Sequence, residues 1–470
     1  MERELWRWDA VELAAAIRSR KVSSREAVRS VLGRLDAVNP VINAVTVLLA
    51  DQALAAADAA DALVKRGETL GPLHGVPVTI KENIDQEGQA TPNGVVAFKD
   101  VTATSDSPPV ANWKRAGAIV VGRTNTPAFS IRWHTDNALR GRTFNPWSRE
   151  RTPGGSSGGA AAALASGIAP LAHGNDLGGS IRYPAYCCGV AGIRPTLGRV
   201  PAYNPTATDE RPPALQLMSV QGPLARRVRD VQLGLRAMSA RDARDPWWVP
   251  APFDGEPLPA PIRVAVTRNA HGYPMHADIS RALEQAAGWL AAAGYAVEEV
   301  EPPPITEPAR AWFSVAVAEM KVLLFPTARQ HGSKTIQDIF DWYEQLANAV
   351  DAQGYMLGVA ERTRMTRQWS VFLEEHPLVL TPFFMRPLYS WNYDAQGLAQ
   401  TKDLFDAAIY SYGVNYLGLP AGVVPVGLVE GLPAGVQIVG RRFREDLILD
   451  AMAAVEAQVG VLTRTLWARE

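Results

Sequence analysis

Cysteine is nearly absent: the 470 residues contain only Cys187 and Cys188, which are adjacent. Neighbouring cysteines make a poor disulfide framework and lack the spacing of metal ligands. The pair reads as two small buried side chains, and a cytoplasmic, reducing compartment fits best. An excess of one charge is also missing. Lys and Arg number 47 against 48 Asp and Glu, for a net charge of -1. This gives no electrostatic case for a nucleic-acid partner or an anionic membrane surface. No apolar run reaches the roughly 18 residues of a membrane-spanning helix. The segment Met1-Glu-Arg-Glu-Leu-Trp is charged and has no apolar stretch, so no signal peptide is expected. Internal repeats and low-complexity tails are not seen.

What is present is the balance of a globular protein, 47% hydrophobic and 20% charged. The length suits one large domain or two to three ordinary ones. Residues 9–64 predict helices, with Ser23 and Glu26 spaced as a capping box. Pro77-Val-Thr-Ile and Ala118-Ile-Val-Val predict strands, the second following a helix over 110–116. Residues 152–195 are rich in glycine, interleaved with Ser, Asn and Asp. Residues 245–260 read as an ordered Pro- and Trp-rich connection. A strand over 262–266, a helix over 280–293 and a strand over 295–300 follow. Residues 307–375 look helical, and short apolar strands return near 378, 422 and 435. Such alternation predicts an α/β fold with a mostly internal sheet.

Two serines stand out chemically. Arg151-Thr-Pro-Gly-Gly-Ser156-Ser-Gly-Gly runs directly into an alanine-rich helix, unlike a flexible linker. It contains Gly-x-Ser-x-Gly at Gly154, Ser156 and Gly158, the pattern of a nucleophile elbow, yet no apolar strand precedes it. In Asp176-Leu-Gly-Gly-Ser180-Ile-Arg182, paired glycines let successive backbone N–H groups converge beside Ser180, as an oxyanion site requires. A serine nucleophile needs a base. None of the seven histidines (His74, His134, His173, His271, His276, His331, His376) has a distinctive setting. Lys81 ends an apolar strand, where burial would favour a neutral amine able to accept a proton. A snorkelling surface lysine accounts for the same pattern equally well.

These segments, taken in order, resemble the amidase signature family. Gly71-Pro-Leu-His-Gly-Val-Pro-Val-Thr-Ile-Lys81-Glu-Asn-Ile-Asp is similar to its lysine block. Arg115 to Pro127, Asn145 to Gly159 and Asp176 to Ala185 resemble the next blocks, and Asn415 to Ala421 and Gly431 to Gly440 the last ones. The resemblance spans roughly residues 5–460 and is weakest between about 240 and 400. It implies a single α/β domain over residues 1–470, a mixed twisted sheet with helices on both faces. Core blocks would cover about 65–240 and 375–460, with a variable, substrate-shaping region at about 245–375.

The resemblance also implies a catalytic triad of Lys81 as base, Ser156 as bridging serine after a cis Gly155–Ser156 bond, and Ser180 as nucleophile. Backbone N–H groups of Leu177, Gly178, Gly179 and Ser180 would form the oxyanion hole, supported by Ser157, Asp176 and Arg182. No metal or cofactor is implied. The activity implied is hydrolysis of a small carboxylic amide, with anilides, carbamates and esters compatible and a homodimer left open. Phe129, Trp133 and Tyr186, with the helical stretch 307–375, are candidates for an apolar or aryl pocket and fit plain core equally well. Three positions depart from the family pattern: Asn175 stands where Thr is usual, Ala128 where Glu is common, and Tyr183 where the glutaminase subunits of tRNA amidotransferases carry Gln. The competing readings are a histidine-dependent serine esterase, a glutaminase-type component of such an amidotransferase, and a binding protein without activity. The last is disfavoured because all three triad positions are filled.

Overall fold

Eleven strands form one continuous sheet in the computed structural model, which describes residues 4–469. They are β1 (Val45–Leu48), β2 (Pro77–Lys81), β3 (Ile119–Thr124), β4 (Leu171–Asp176), β5 (Ala191–Arg194), β6 (Val220–Ala225), β7 (Arg263–Val266), β8 (Ala296–Glu299), β9 (Leu378–Thr381), β10 (Ala421–Val429) and β11 (Leu432–Gly440). Their spatial order is β1-β3-β2-β4-β6-β5-β10-β11-β9-β7-β8. The sheet is mixed. β3, β2 and β4 run parallel, β4 through β9 pair antiparallel, and β9, β7 and β8 are parallel again.

Helices cover both faces, as expected for this class. One face buries Gly158–Ala165, Arg182–Cys188, Thr306–Leu323 and Ile409–Leu417. The other buries Ala10–Arg18, Pro108–Arg115, Val228–Met238, Ala277–Ala292 and Glu445–Val459. Strands buried on both sides need no alternation, and every residue of β2, β3 and β4 is buried. Among the described residues no single helix is long and apolar enough to cross a membrane.

The Ser23–Glu26 capping box forms as read, opening a helix over Ser24–Ile42. The all-helical expectation for 9–64 fails at β1. Asn43 ends the preceding helix in the left-handed region (φ 48), and Val-Thr-Val-Leu then pairs antiparallel with β3. β-branched residues favour the pleated edge over another helical turn.

The topology places two strand ends together. β2 and β4 are parallel neighbours, so Lys81 and Asp176 finish at the same edge of the sheet. Open α/β sheets bind ligands at the carboxyl ends of such strands.

Candidate active site

Lys81 is wholly buried at the end of β2. Its Nζ lies 2.7 Å from Ser156 Oγ and donates to Asn175 Oδ1 at 2.8 Å. Asn175 is held in turn by Asn83, whose Oδ1 accepts from Asn175 Nδ2 at 2.9 Å. Burial lowers the Lys81 ammonium well below its ordinary range; the Asp176 charge opposes this and the Arg211 charge adds to it. Of the two readings open for Lys81, the surface lysine is therefore wrong, since the side chain has no exposed surface. Asn175, the departure from the family's Thr, supplies the acceptor that orients the amine.

Ser156 follows a cis Gly155–Ser156 peptide bond and is 1% exposed. Gly155 fits because a Cβ there would stand 2.4 Å from the Arg132 carbonyl oxygen. The N–H of Ser157 donates to the Ser180 carbonyl at 3.2 Å, which ties the two serine-bearing segments together. Ser180 itself is only half-buried. A buried amine and a buried hydroxyl are thus in contact, and a backbone hydrogen bond joins their segment to the one that carries Ser180.

Asp176 and Arg182 are both fully buried and bridge bidentately, Nε to Oδ2 and Nη2 to Oδ1, each at 3.0 Å. Asp176 also accepts from Asn415 Nδ2 at 2.8 Å and from Ile181 N–H at 3.2 Å. Burial alone would raise its carboxyl, but the Arg182 charge and hydrogen bonds, with Arg194 and Asn415, hold it below the usual carboxylate range. Arg182 Nη1 reaches Gln437 Oε1 at 2.6 Å. Through Gly179 and Ile181 N–H, Asp176 is tied to the turn on either side of Ser180. The Ser157 hydroxyl is buried and meets no partner among the described residues.

One of the four expected oxyanion donors is already engaged. Gly179 N–H donates to Asp176 Oδ1 at 2.9 Å, which leaves Leu177, Gly178 and Ser180 as candidates. Two residues that sequence reasoning missed orient this segment. Trp312 Nε1 donates to the Leu177 carbonyl at 2.9 Å, and Ser411 Oγ donates to the Gly178 carbonyl at 2.8 Å. In a trans peptide the N–H points opposite its carbonyl, so pinning the Leu177 carbonyl aims Gly178 N–H the other way. Gly179 has φ 122, and a Cβ there would meet Ser411 Oγ at 2.4 Å, so only glycine is accommodated.

An aromatic wall adjoins this segment. Trp133 reaches within 3.4 Å of a Cβ built on Gly179, and Phe383 within 3.3 Å. Trp133 also lies 5.5 Å from Tyr412, and Trp312 lies 4.4 Å from Tyr412. Trp133 therefore packs against the segment that leads to Ser180. Tyr186 lies behind this segment: its hydroxyl donates to the Arg386 carbonyl at 3.0 Å, and Phe383 and Phe384 pack against its ring. Phe129 packs edge-on against Phe98 at 6.4 Å rather than in the cluster around Trp133. Both rings are buried against other aromatic side chains.

The elbow reading fails on geometry, since residues 152–157 form no strand. Among the described residues no histidine is hydrogen-bonded to Ser156 or Ser180. His173 lies in β4, but its Nε2 pairs with Gln221 Oε1 at 2.9 Å, and burial lowers its pKa to about 3. Among the described residues no group of three or more His, Cys, Asp and Glu side chains is placed to hold a metal ion.

Comparison with known proteins identifies the family. The family model described as Amidase matches residues 26–449. An indoleacetamide hydrolase of Bradyrhizobium diazoefficiens is 48% identical, over 98% of this chain and 88% of the relative. A glutamyl-tRNA(Gln) amidotransferase subunit from Moorella thermoacetica is 32% identical, over 96% of this chain and 97% of the other. Among solved structures, a bacterial aryl acylamidase of the amidase signature family superposes with a TM-score of 0.83 at 27% identity, over 98% and 97% of the two chains. With a matched family model over most of its length and a fold shared from end to end, the chain belongs to the amidase signature family, and its chemistry is the hydrolysis of amides.

Proposed function

We propose that this amidase cleaves the primary amide of an arylacetic acid, of the indoleacetamide type, through an acyl-enzyme on Ser180. The observation that carries the mechanism is the buried, depressed Lys81 amine 2.7 Å from Ser156 Oγ. Neutral Lys81 takes the Ser156 hydroxyl proton as Ser156 takes that of Ser180. Ser180 Oγ forms the bond to the amide carbon, and the oxyanion is received by backbone N–H groups of Leu177, Gly178 and Ser180. Ser156 then passes its proton to the departing nitrogen, the C–N bond breaks and ammonia leaves. Water, deprotonated through the same relay, releases the acid.

The aryl part rests on the aromatic wall of Trp133, Trp312, Phe383 and Tyr412 and on the 48% identical relative. Trp312 comes from the 245–375 region read as substrate-shaping. The free, buried thiols of Cys187 and Cys188 suit a cytoplasmic location. Tyr183, at the position that departs from the glutaminase subunits, is buried 4.5 Å from Trp133 and 5.0 Å from Phe384, which favours an enzyme acting alone.

The purified chain, without any partner, is expected to release ammonia from indoleacetamide and phenylacetamide at least about tenfold faster, per kcat/KM, than from glutamine. Glutamine turnover that appears only with charged tRNA and a second protein would overturn this reading. Replacing each histidine by Asn or Gln is expected to keep kcat/KM within about tenfold, roughly 1.4 kcal/mol. A loss of several orders of magnitude at a folded His173→Asn variant would restore a histidine base.

A further inference from the structure

Tyr412 lies in the helix Ile409–Leu417, is 3% exposed, and has a hydroxyl with no hydrogen-bond partner among the described residues. Four other buried tyrosines are satisfied: the hydroxyls of Tyr186, Tyr343, Tyr410 and Tyr416 donate to backbone carbonyls. The Tyr183 hydroxyl also has no hydrogen-bond partner among the described residues, but it has the Cys187 thiol beside it. An unpaired buried hydroxyl is unfavourable, and phenylalanine would fill the same space without that cost. The position of the ring gives the hydroxyl a use. A Cβ built on Gly178 would stand 3.0 Å from Tyr412 Cε1, so the ring flanks the segment that leads to Ser180. Trp312 lies at 4.4 Å, Phe405 at 5.2 Å and Trp133 at 5.5 Å. Phe405 beside it, and Leu177 in the segment that leads to Ser180, are only half-buried.

We propose that Tyr412 determines specificity: its hydroxyl oxygen accepts a hydrogen bond from the ring N–H of a heteroaryl acyl group held against the aromatic wall. The inference rests on the arylacetamide reading and deepens it. Flat apolar surfaces on Trp133 and Trp312 select an aromatic ring of any kind, whereas the unpaired acceptor on Tyr412, between Trp133 and Trp312, selects a ring that carries a donor. An indole ring has one such N–H and no other polar atom. A site built to hydrogen-bond a substrate group rejects the analogue that lacks it, because the buried partner is then left unpaired.

The test compares three substrates on the full chain and on Tyr412→Phe: indoleacetamide, its ring-N-methyl derivative, and naphthaleneacetamide. The native enzyme should prefer indoleacetamide over both analogues by about tenfold in kcat/KM, mostly through KM. Tyr412→Phe should lose about tenfold more on indoleacetamide than on either of the other two, so that the preference collapses. Equal losses on all three substrates would mark a packing role and overturn the inference. So would a native enzyme indifferent to N-methylation, a result that needs no variant to fold. If the native enzyme cleaves none of the three but does cleave other amides, the arylacetamide reading itself fails.

Discussion

Ser180→Ala should abolish amide hydrolysis, by a factor on the order of 10⁴ or more in kcat, and leave the fold unchanged. The expectation of a large chemical loss with a small structural one follows from how Ser180 is held. Its half-exposed side chain sits on a turn fixed from behind by the buried Asp176–Arg182 pair. Its structural contact is made by the backbone, whose carbonyl accepts from Ser157 N–H. Alanine keeps both features and removes only the hydroxyl. The unfolding midpoint should therefore move by no more than about 0.5 kcal/mol equivalent, the range of substitutions away from packed or charged features. Ser156→Ala differs in kind. It deletes a buried hydroxyl 2.7 Å from Lys81 Nζ, so both the relay and the local packing are affected. Near-native turnover by Ser180→Ala, measured as ammonia release, would remove the nucleophile from the account.

Lys81→Ala should lose most amide hydrolysis, and Lys81→Arg should not restore it. A guanidinium stays charged and cannot accept the Ser156 proton, and its planar fork does not fit a pocket shaped around one amine. An activated ester should suffer less than an amide in Lys81→Ala, because its leaving group needs little protonation. The pH dependence has a definite sign. Burial lowers the Lys81 pKa and so favours the neutral amine, and kcat/KM should fall toward acid pH as the amine gains a proton. Asp176 does not produce this limb, because its carboxyl is held below the usual carboxylate range. Lys81→Arg with near-native amidase activity would make the residue a fixed positive charge and place the base elsewhere.

The parts of the site that were legible in the sequence are those that depend on local pattern. β2 reads directly, as an apolar run ending in a lysine, and its register beside β3 and β4 puts that lysine at the sheet edge. The capping box at Ser23 is equally local. β4 was not legible as a strand, because His173, Asn175 and Asp176 break any apolar pattern. They are buried only because Gln221, Lys81, Asn83 and Arg182 satisfy them. The same holds for the residues that orient Leu177 and Gly178. Trp312 and Ser411 lie 135 and 233 positions from the carbonyls they hold. Asn415 and Gln437 did leave a signal, since both fall in the C-terminal blocks that resemble the family, although their contact with Asp176 and Arg182 had no local mark. The engagement of Gly179 N–H by Asp176 depends on a turn geometry that the glycine pair permits without dictating it.

The account stands on Ser180 as the atom that is acylated, and peptide mass mapping after trapping tests it most directly. The enzyme would be treated with a serine-directed acylating inhibitor, digested, and the modified residue located by fragmentation. A single adduct on Ser180, absent from Ser180→Ala and slowed in Lys81→Ala, is the predicted result. An adduct on Ser156 in the native enzyme would contradict the assignment of nucleophile and relay.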